Sequence, residues 1–212
     1  MSSPDPIPVS PQESLLFTVA DLFEGDGTGA MVARVRGQLE EAPLRVALSR
    51  LQRRHPKLRA RVIQSAGRRC YDMCSDPPAI PFEIKDYETG PTPLMEEAYR
   101  ALCWKMDVTI GPMARMLVLR NRAEGVCEVI FVAHHAIADG ASALRIIDDL
   151  LDYYAEAERG GDLAPVVSLP LVTVARANTS ARFMQKLSVL LSIAGQRIGK
   201  RRGRWITLPR PA

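Results

Sequence analysis

The chain has 212 residues, of which 47% are hydrophobic and 25% are charged. This composition excludes a disordered, low-complexity or collagen-like chain, and the length suffices for a core that needs neither disulfides nor metal. Four cysteines are too few for a secreted disulfide scaffold. The first residues lack a basic segment followed by an apolar one, so we predict no signal peptide and expect a cytoplasmic protein.

The net charge of +4 is unevenly distributed along the chain. Residues 181–212 hold eight basic residues and no acidic one, so the preceding 180 residues carry 20 basic against 24 acidic side chains. Such asymmetry bears on partners rather than on the fold. No nucleic-acid-binding motif accompanies the basic residues, and we expect no nucleic-acid partner.

Hydrophobic periodicity predicts helices and strands in alternation as far as residue 158. Leu44, Leu48 and Leu51 form the apolar stripe of one helix, which ends at His55 because the α region is disfavoured before a proline. The predicted elements, in chain order, are helix 12–23, strand 31–36, helix 40–54, strand 58–64, strand 69–73, strand 82–85, helix 93–106, strand 114–120, strand 126–133 and helix 140–158. This order predicts an α+β fold with a mixed β-sheet covered by helices.

The two elements at the end of this series are the most strongly patterned. Residues 126–133 are rich in β-branched and aromatic side chains, which predicts a buried strand. In the helix that follows, the apolar stripe is predicted to comprise Leu144, Ile147, Leu151 and Tyr154.

Between this strand and this helix lies the sequence HHAIADG, residues 134–140. Consecutive strand residues point to opposite faces, so only one of His134 and His135 can face a cleft. Asp139 can turn back under the strand end, and if buried it would need a cation. Gly140 allows a backbone conformation or a close approach that a side chain would prevent. A histidine held in this way suits a general base, because its ordinary pKa is about 6.5.

Two other interpretations of the histidines stand beside this one. The pair and Asp139 could bind zinc, but no fourth ligand is evident, and Cys70 and Cys74 lack a zinc-site spacing, so we predict no metal. The histidines could also be purely structural residues at the end of a strand.

The HHAIADG segment resembles the HHxxxDG signature of the CoA-dependent acyltransferase superfamily. This group includes chloramphenicol acetyltransferase-like enzymes, nonribosomal peptide synthetase condensation domains, wax ester synthases and polyketide-associated acyltransferases. VSPQESLLF at 9–17, LSRLQRRHPKLRARV at 48–62 and MDVTIGPMARMLVLR at 106–120 also resemble family segments, in the family's order, with departures at Met106 and Val108. The resemblance implies the chloramphenicol acetyltransferase-like fold of an N-terminal lobe.

The same resemblance implies a role for each residue of the motif. His135 would be the catalytic base, which deprotonates a hydroxyl or amine that attacks an acyl thioester directly, without an acyl-enzyme. His134 would be structural, and Asp139 would form a salt bridge with Arg59, or with Arg61 as the alternative. The thioester would be acyl-CoA or a carrier-protein phosphopantetheine, used as a substrate, and no permanently bound cofactor is implied.

We expect an acyltransferase that acts on an alcohol acceptor. Two alternatives are an amide-forming condensation domain and a non-catalytic lobe that binds an acyl carrier, a partner chain or a membrane. Because the superfamily fold has two lobes with a tunnel between them, and no DFGWG-like motif of the second lobe is present, the partner lobe is expected beyond residue 212 or in another chain.

The chain divides into two predicted parts. Residues 1–175 form the lobe that carries HHxxxDG, and residues 176–212 form a basic amphipathic helix and a linker toward the second lobe. The helix could pack on the protein, or residues 181–204 could make peripheral contact with a membrane, because an apolar face with basic ends suits anionic lipid.

Overall fold

The computed structural model describes residues 5–22, 27–88 and 93–171, and the predicted helix and linker at 176–212 lie outside the described residues. The helices are α1 (Pro11–Leu22), α2 (Glu41–Arg54), α3 (Leu94–Leu102) and α4 (Gly140–Arg159). The strands are β1 (Ile7–Pro8), β2 (Thr28–Arg36), β3 (Ala60–Ser65), β4 (Arg68–Met73), β5 (Phe82–Tyr87), β6 (Ala114–Asn121) and β7 (Val126–His134). A short 3-10 turn, Pro56–Arg59, connects α2 to β3.

The main sheet has four strands in the order β2-β7-β6-β5. The β5–β6 pair is parallel and the other pairs are antiparallel, so the sheet is mixed. A second, antiparallel sheet has the order β1-β4-β3. β7 lies between two neighbours, and every residue of it after Val126 is buried, as its sequence predicts.

Helices cover both faces of the main sheet. Leu44, Leu48 and Leu51 of α2 belong to the larger core cluster, which also contains Val129 and Phe131 of β7. The alternate residues of the same strands point the other way, and they form a smaller cluster with Ala101 of α3. The strand residues of that cluster are Leu117, Leu119, Ile130 and Val132. The α+β architecture with helices over a mixed sheet is thus confirmed.

Two sequence predictions about the helices are wrong in detail. α3 ends at Leu102 rather than at residue 106, since the chain turns there and the indole of Trp104 packs under the guanidinium of Arg115, whose Cζ lies 4.4 Å from the ring centroid. In α4, Ile147 and Tyr154 are buried as predicted, but Leu144 is 55% exposed, and Ile146 and Leu150, outside the predicted stripe, are buried. Two overlapping apolar stripes run along this helix, and the one that includes Leu150 packs on the sheet.

Polar contacts fix α2 against α4. The buried carboxylate of Asp149 accepts a hydrogen bond from Arg54 Nε at 2.7 Å and lies 2.9 Å from His55 Nε2. Burial alone would raise the pKa of Asp149, but these contacts hold it below its ordinary value. One turn further, Arg50 pairs with Glu156 at 2.7 Å. Among the described helices, none is long and apolar enough to span a bilayer.

Candidate functional site

His134, the last residue of β7, points into the protein. It pairs with Thr28 of β2, is 3% exposed, and its ring stacks on Phe17 of α1 with centroids 4.6 Å apart. Its Nδ1 accepts a hydrogen bond from the Ala136 amide at 3.1 Å, which places the proton of the neutral ring on Nε2. Burial lowers the pKa of His134 to about 4, so the ring is neutral at neutral pH.

His135, the next residue, is exposed. Its backbone amide donates to the Gly27 carbonyl at 2.7 Å, which continues the contact between β7 and the start of β2. Its imidazole lies over Gly29, where a Cβ atom would be 3.1 Å from Nε2. Within the described part of the chain, the ring makes no hydrogen bond, so its nitrogens are open to an approaching molecule.

Glycines on β2 and just before it make room for both imidazoles. A Cβ at Gly27 would lie 2.6 Å from both the Ala20 Cβ and the His134 Nε2. At Gly29, an added Cβ would likewise press against the His135 ring, 3.1 Å from Nε2. The proximity of these glycines to the histidines depends on the antiparallel pairing of β2 with β7, so no local sequence pattern predicts it.

The structure does not bring Asp139 and Arg59 together. Asp139 is exposed and caps α4, with its Oδ1 accepting the Ser142 amide at 2.8 Å, and this contact lowers the pKa of the carboxyl. Arg61, the alternative partner, instead hydrogen-bonds Asp72 at 2.8 Å. A carboxylate at a helix N-terminus is already satisfied by free amides and the helix dipole, so it needs no cation.

Two further observations correct the predicted support of the motif. Among the described residues Arg59 has no ion pair, and its buried Nε has no hydrogen-bond partner. Gly140 begins α4 with open space around its Cα, since an added Cβ would have no neighbour within 4 Å, and its φ is not positive. The close approach that the sequence predicts for Gly140 occurs at Gly27 and Gly29 instead.

Tyr71 of β4 supports the motif loop from inside, next to a polar cluster at the start of α1. Ser10 and Glu13 form a capping box at the start of α1, and Lys57 donates to Glu13. The Lys57 and Ser10 hydrogen bonds keep the pKa of Glu13 below its ordinary value, although burial opposes this. Beside them, the buried Tyr71 hydroxyl donates to the Ala136 carbonyl at 3.3 Å.

Phe17 and Tyr71 are neighbours of the motif that its own sequence does not predict. A signal for Phe17 was available, since VSPQESLLF at 9–17 contains it and resembles a family segment. No local pattern connects Tyr71 with residue 136. No group of three or more histidine, cysteine or acidic side chains within the described ranges could hold a metal.

The α+β fold is that of a chloramphenicol acetyltransferase-like lobe of the CoA-dependent acyltransferase superfamily. The family model named Condensation domain matches residues 27–176, and the chain belongs to this family.

The similar proteins are large synthetases and their parts. Nonribosomal peptide synthetase 5 of Gibberella zeae is 29% identical over 150 residues, which are 68% of this chain and 1% of that protein. The first condensation domain of the calcium-dependent antibiotic synthetase, solved with a substrate analogue, has a TM-score of 0.68 at 16% identity, covering 77% of this chain and 41% of the solved one.

A mutant starter condensation domain of rhizomide synthetase, solved in complex with C8-CoA, has a TM-score of 0.62 at 18% identity. The match covers 70% of this chain and 35% of that chain. The chain therefore spans less than half of these solved condensation domains, and at these identities the likeness concerns the fold.

Proposed function

We propose that this chain is the N-terminal lobe of an amide-forming condensation domain, in which an amine attacks an acyl thioester and His135 is the general base. The observation that carries the proposal is the exposed imidazole of His135, which lies over Gly29 with no hydrogen bond to a described residue. The amine acceptor takes the place of the alcohol expected from the sequence, because a similar curated protein is named as a nonribosomal peptide synthetase.

The proposed step is a direct acyl transfer. A bond forms between the amine nitrogen and the acyl carbon while the carbon–sulfur bond breaks. His135 accepts a proton from the nitrogen and returns a proton to the departing thiolate, so the enzyme ends as it began. His134 cannot serve in this way, because it is buried and its Nδ1 is engaged by the Ala136 amide.

The donor in this proposal is a thioester of phosphopantetheine, carried by an acyl or peptidyl carrier protein or present in CoA. The second lobe would supply the opposite wall of the tunnel, either in the same chain or in a partner chain. Asp139 would act as the N-cap that fixes where α4 begins, and thereby the path of the loop after His135.

The test is product formation by the protein with its complementing lobe, supplied with an acyl thioester and with matched amine and alcohol acceptors. We expect His135→Ala to lower amide formation by about 10²–10⁴-fold, the usual contribution of a positioned base. Gln64→Ala, at an exposed position of β3, is the control and should retain activity.

Unchanged turnover of the His135→Ala protein would exclude the general base. Faster transfer to the alcohol than to the amine would exclude amide formation and restore the alcohol acceptor. Product formation by the wild-type protein would exclude the remaining alternative, a non-catalytic lobe that only binds a carrier, a partner chain or a membrane.

A further inference from the structure

The outward face of α2 is bordered by the segment that follows α4. The Leu169 amide donates to the Arg54 carbonyl at 2.8 Å, which holds this segment against the end of α2. Between the helix and residues 163–166 lies a cavity of about 460 Å³, whose lining includes Arg45, Arg50 and Arg53.

A second cavity of about 330 Å³ lies on the other side of the same helix face, against the loop at 75–82. Arg45, Ser49 and Arg53 follow one another at intervals of four residues, and all three line both cavities. Gln52 donates to the Pro78 carbonyl at 2.9 Å and so fixes the loop against α2. We call the two adjoining cavities the α2 groove.

The groove carries an excess of positive charge. Its charged lining consists of four arginines, at positions 45, 50, 53 and 59, and one acidic residue, Asp76. Arg45 pairs with the exposed Glu41 and Arg50 with Glu156. Arg53 and Arg59 form no ion pair with any residue that the structure describes.

Two of the arginines that line the groove each have a buried N–H group without an acceptor among the described residues. The side chain of Arg50 is 9% exposed and its Nε has no partner, and the buried Nε of Arg59 has none either, as far as the chain is described. Buried N–H groups are nearly always satisfied, and leaving one unpaired is costly. Arg50 lines the larger cavity and Arg59 the smaller one, so an arginine with an unsatisfied buried N–H group borders each cavity.

We propose that the α2 groove binds a phosphate ester. The guanidinium groups of Arg53, on the helix, and Arg59, on the turn that follows it, have no ion pair in the described structure, and such groups can offer paired N–H donors to the oxygens of a phosphate. The walls at Pro165, Val166, Ile80 and Phe82 are apolar and suit an uncharged stem attached to that phosphate. The Arg45 guanidinium stacks on Phe82, with its Cζ 5.0 Å from the ring centroid, so charge and apolar wall adjoin.

Such an ester has two sources if the proposed function holds: the phosphopantetheine arm of a carrier protein, or free coenzyme A. The groove itself requires only the shared phosphate chemistry. Its occupation does not depend on proton transfer by His135, so the two proposals can fail separately.

The experiment is calorimetric titration of the full 212-residue chain with coenzyme A, 4′-phosphopantetheine and pantetheine, in the absence of any acceptor. We expect the two phosphorylated compounds to bind and pantetheine not to bind. Arg53→Glu should weaken their binding by about tenfold or more, because it replaces a charge-assisted donor with a like charge. Arg53→Lys keeps the positive charge but removes the paired N–H donors of the guanidinium, so it should weaken binding by an intermediate amount.

The matched control is Arg68→Glu, which makes the same charge change at an exposed position at the start of β4. Binding should change by no more than about twofold in this variant. Equal affinities for coenzyme A and phosphopantetheine would support the arm as ligand, and binding of coenzyme A alone would support the nucleotide. Absence of binding, equal binding of pantetheine, or equal losses in the two Glu variants would overturn the proposal.

Discussion

The two adjacent histidines of the motif have opposite environments: His134 is buried and His135 is exposed. Around His134, an aromatic ring, an amide and a glycine fill the available space and keep the ring neutral. His135 is exposed, and in the part of the chain that the structure describes its ring lies over Gly29 and makes no hydrogen bond. Successive side chains of a strand point to opposite faces, so one histidine enters the protein interior and the next faces solvent. The two identical residues therefore differ in their capacity to accept a proton from a substrate.

Acidification should reveal the inner histidine through protein stability. Because burial lowers the pKa of His134 to about 4, the unfolded chain binds this proton first as the pH falls below about 6.5. The folded state should therefore lose about 3 kcal/mol of stability between neutral pH and pH 4 through this group alone. Denaturant unfolding at a series of pH values measures the loss.

Two variants separate the contributions of the adjacent rings. In His134→Phe, this part of the pH dependence should disappear, while His135→Gln should retain it because His134 is unchanged. Parallel pH profiles of wild type and His134→Phe would contradict the assigned environment of His134.

Filling the space between Gly27 and the His134 ring should cause the next largest loss of stability. Gly27→Ala places a methyl group 2.6 Å from both Ala20 Cβ and His134 Nε2, so the core must shift. We expect a loss of about 2 kcal/mol, within the range of overpacked cores, measured by urea unfolding. Gly140→Ala is the control, because its added methyl group meets nothing within 4 Å. A similar loss in both variants would mean that helix and turn propensity, not packing, governs these sites.

The smallest expected loss of stability concerns Asp139, in the loop that follows His135. Asp139→Ala should cost about 1 kcal/mol by removing the N-cap of α4, whereas Asp139→Ser should restore most of it. A double-mutant cycle with Arg59→Ala should show no coupling between the two residues. Failure of serine to restore stability, together with strong coupling, would instead favour the ion pair of Asp139 with Arg59 that the family resemblance implies.

Local patterns predict most of the fold. The spacing of Leu44, Leu48 and Leu51 identifies the buried face of α2, and the composition of β7 identifies the central strand. The end of α3 was missed because neither glycine nor proline marks it, and the packing of Trp104 on Arg115 depends on a distant strand. The buried stripe of α4 was missed in part because two overlapping sets of apolar residues have helical spacing.

The candidate site was predictable in its reactive residues but not in their surroundings. The alternation of a strand is sufficient to place the two histidines on opposite sides. The partner of Asp139 was not predictable in the same way, since a helix N-terminus competes with arginine for a carboxylate. The contribution of Phe17 and Tyr71 arises from contacts between segments far apart in sequence.

The antiparallel pairing of β2 with β7 runs without interruption for nine residue pairs, from Arg36 opposite Val126 to Thr28 opposite His134. A slip of one residue would reverse which side chains face the core along the whole strand. Which of the two imidazoles is exposed therefore depends on the number of residues between the motif and Val126, where the pairing of β7 with β2 begins. An insertion of a single residue in β7 that kept the far end in register would put Ala133 in the buried place of His134 and His134 in the exposed place of His135.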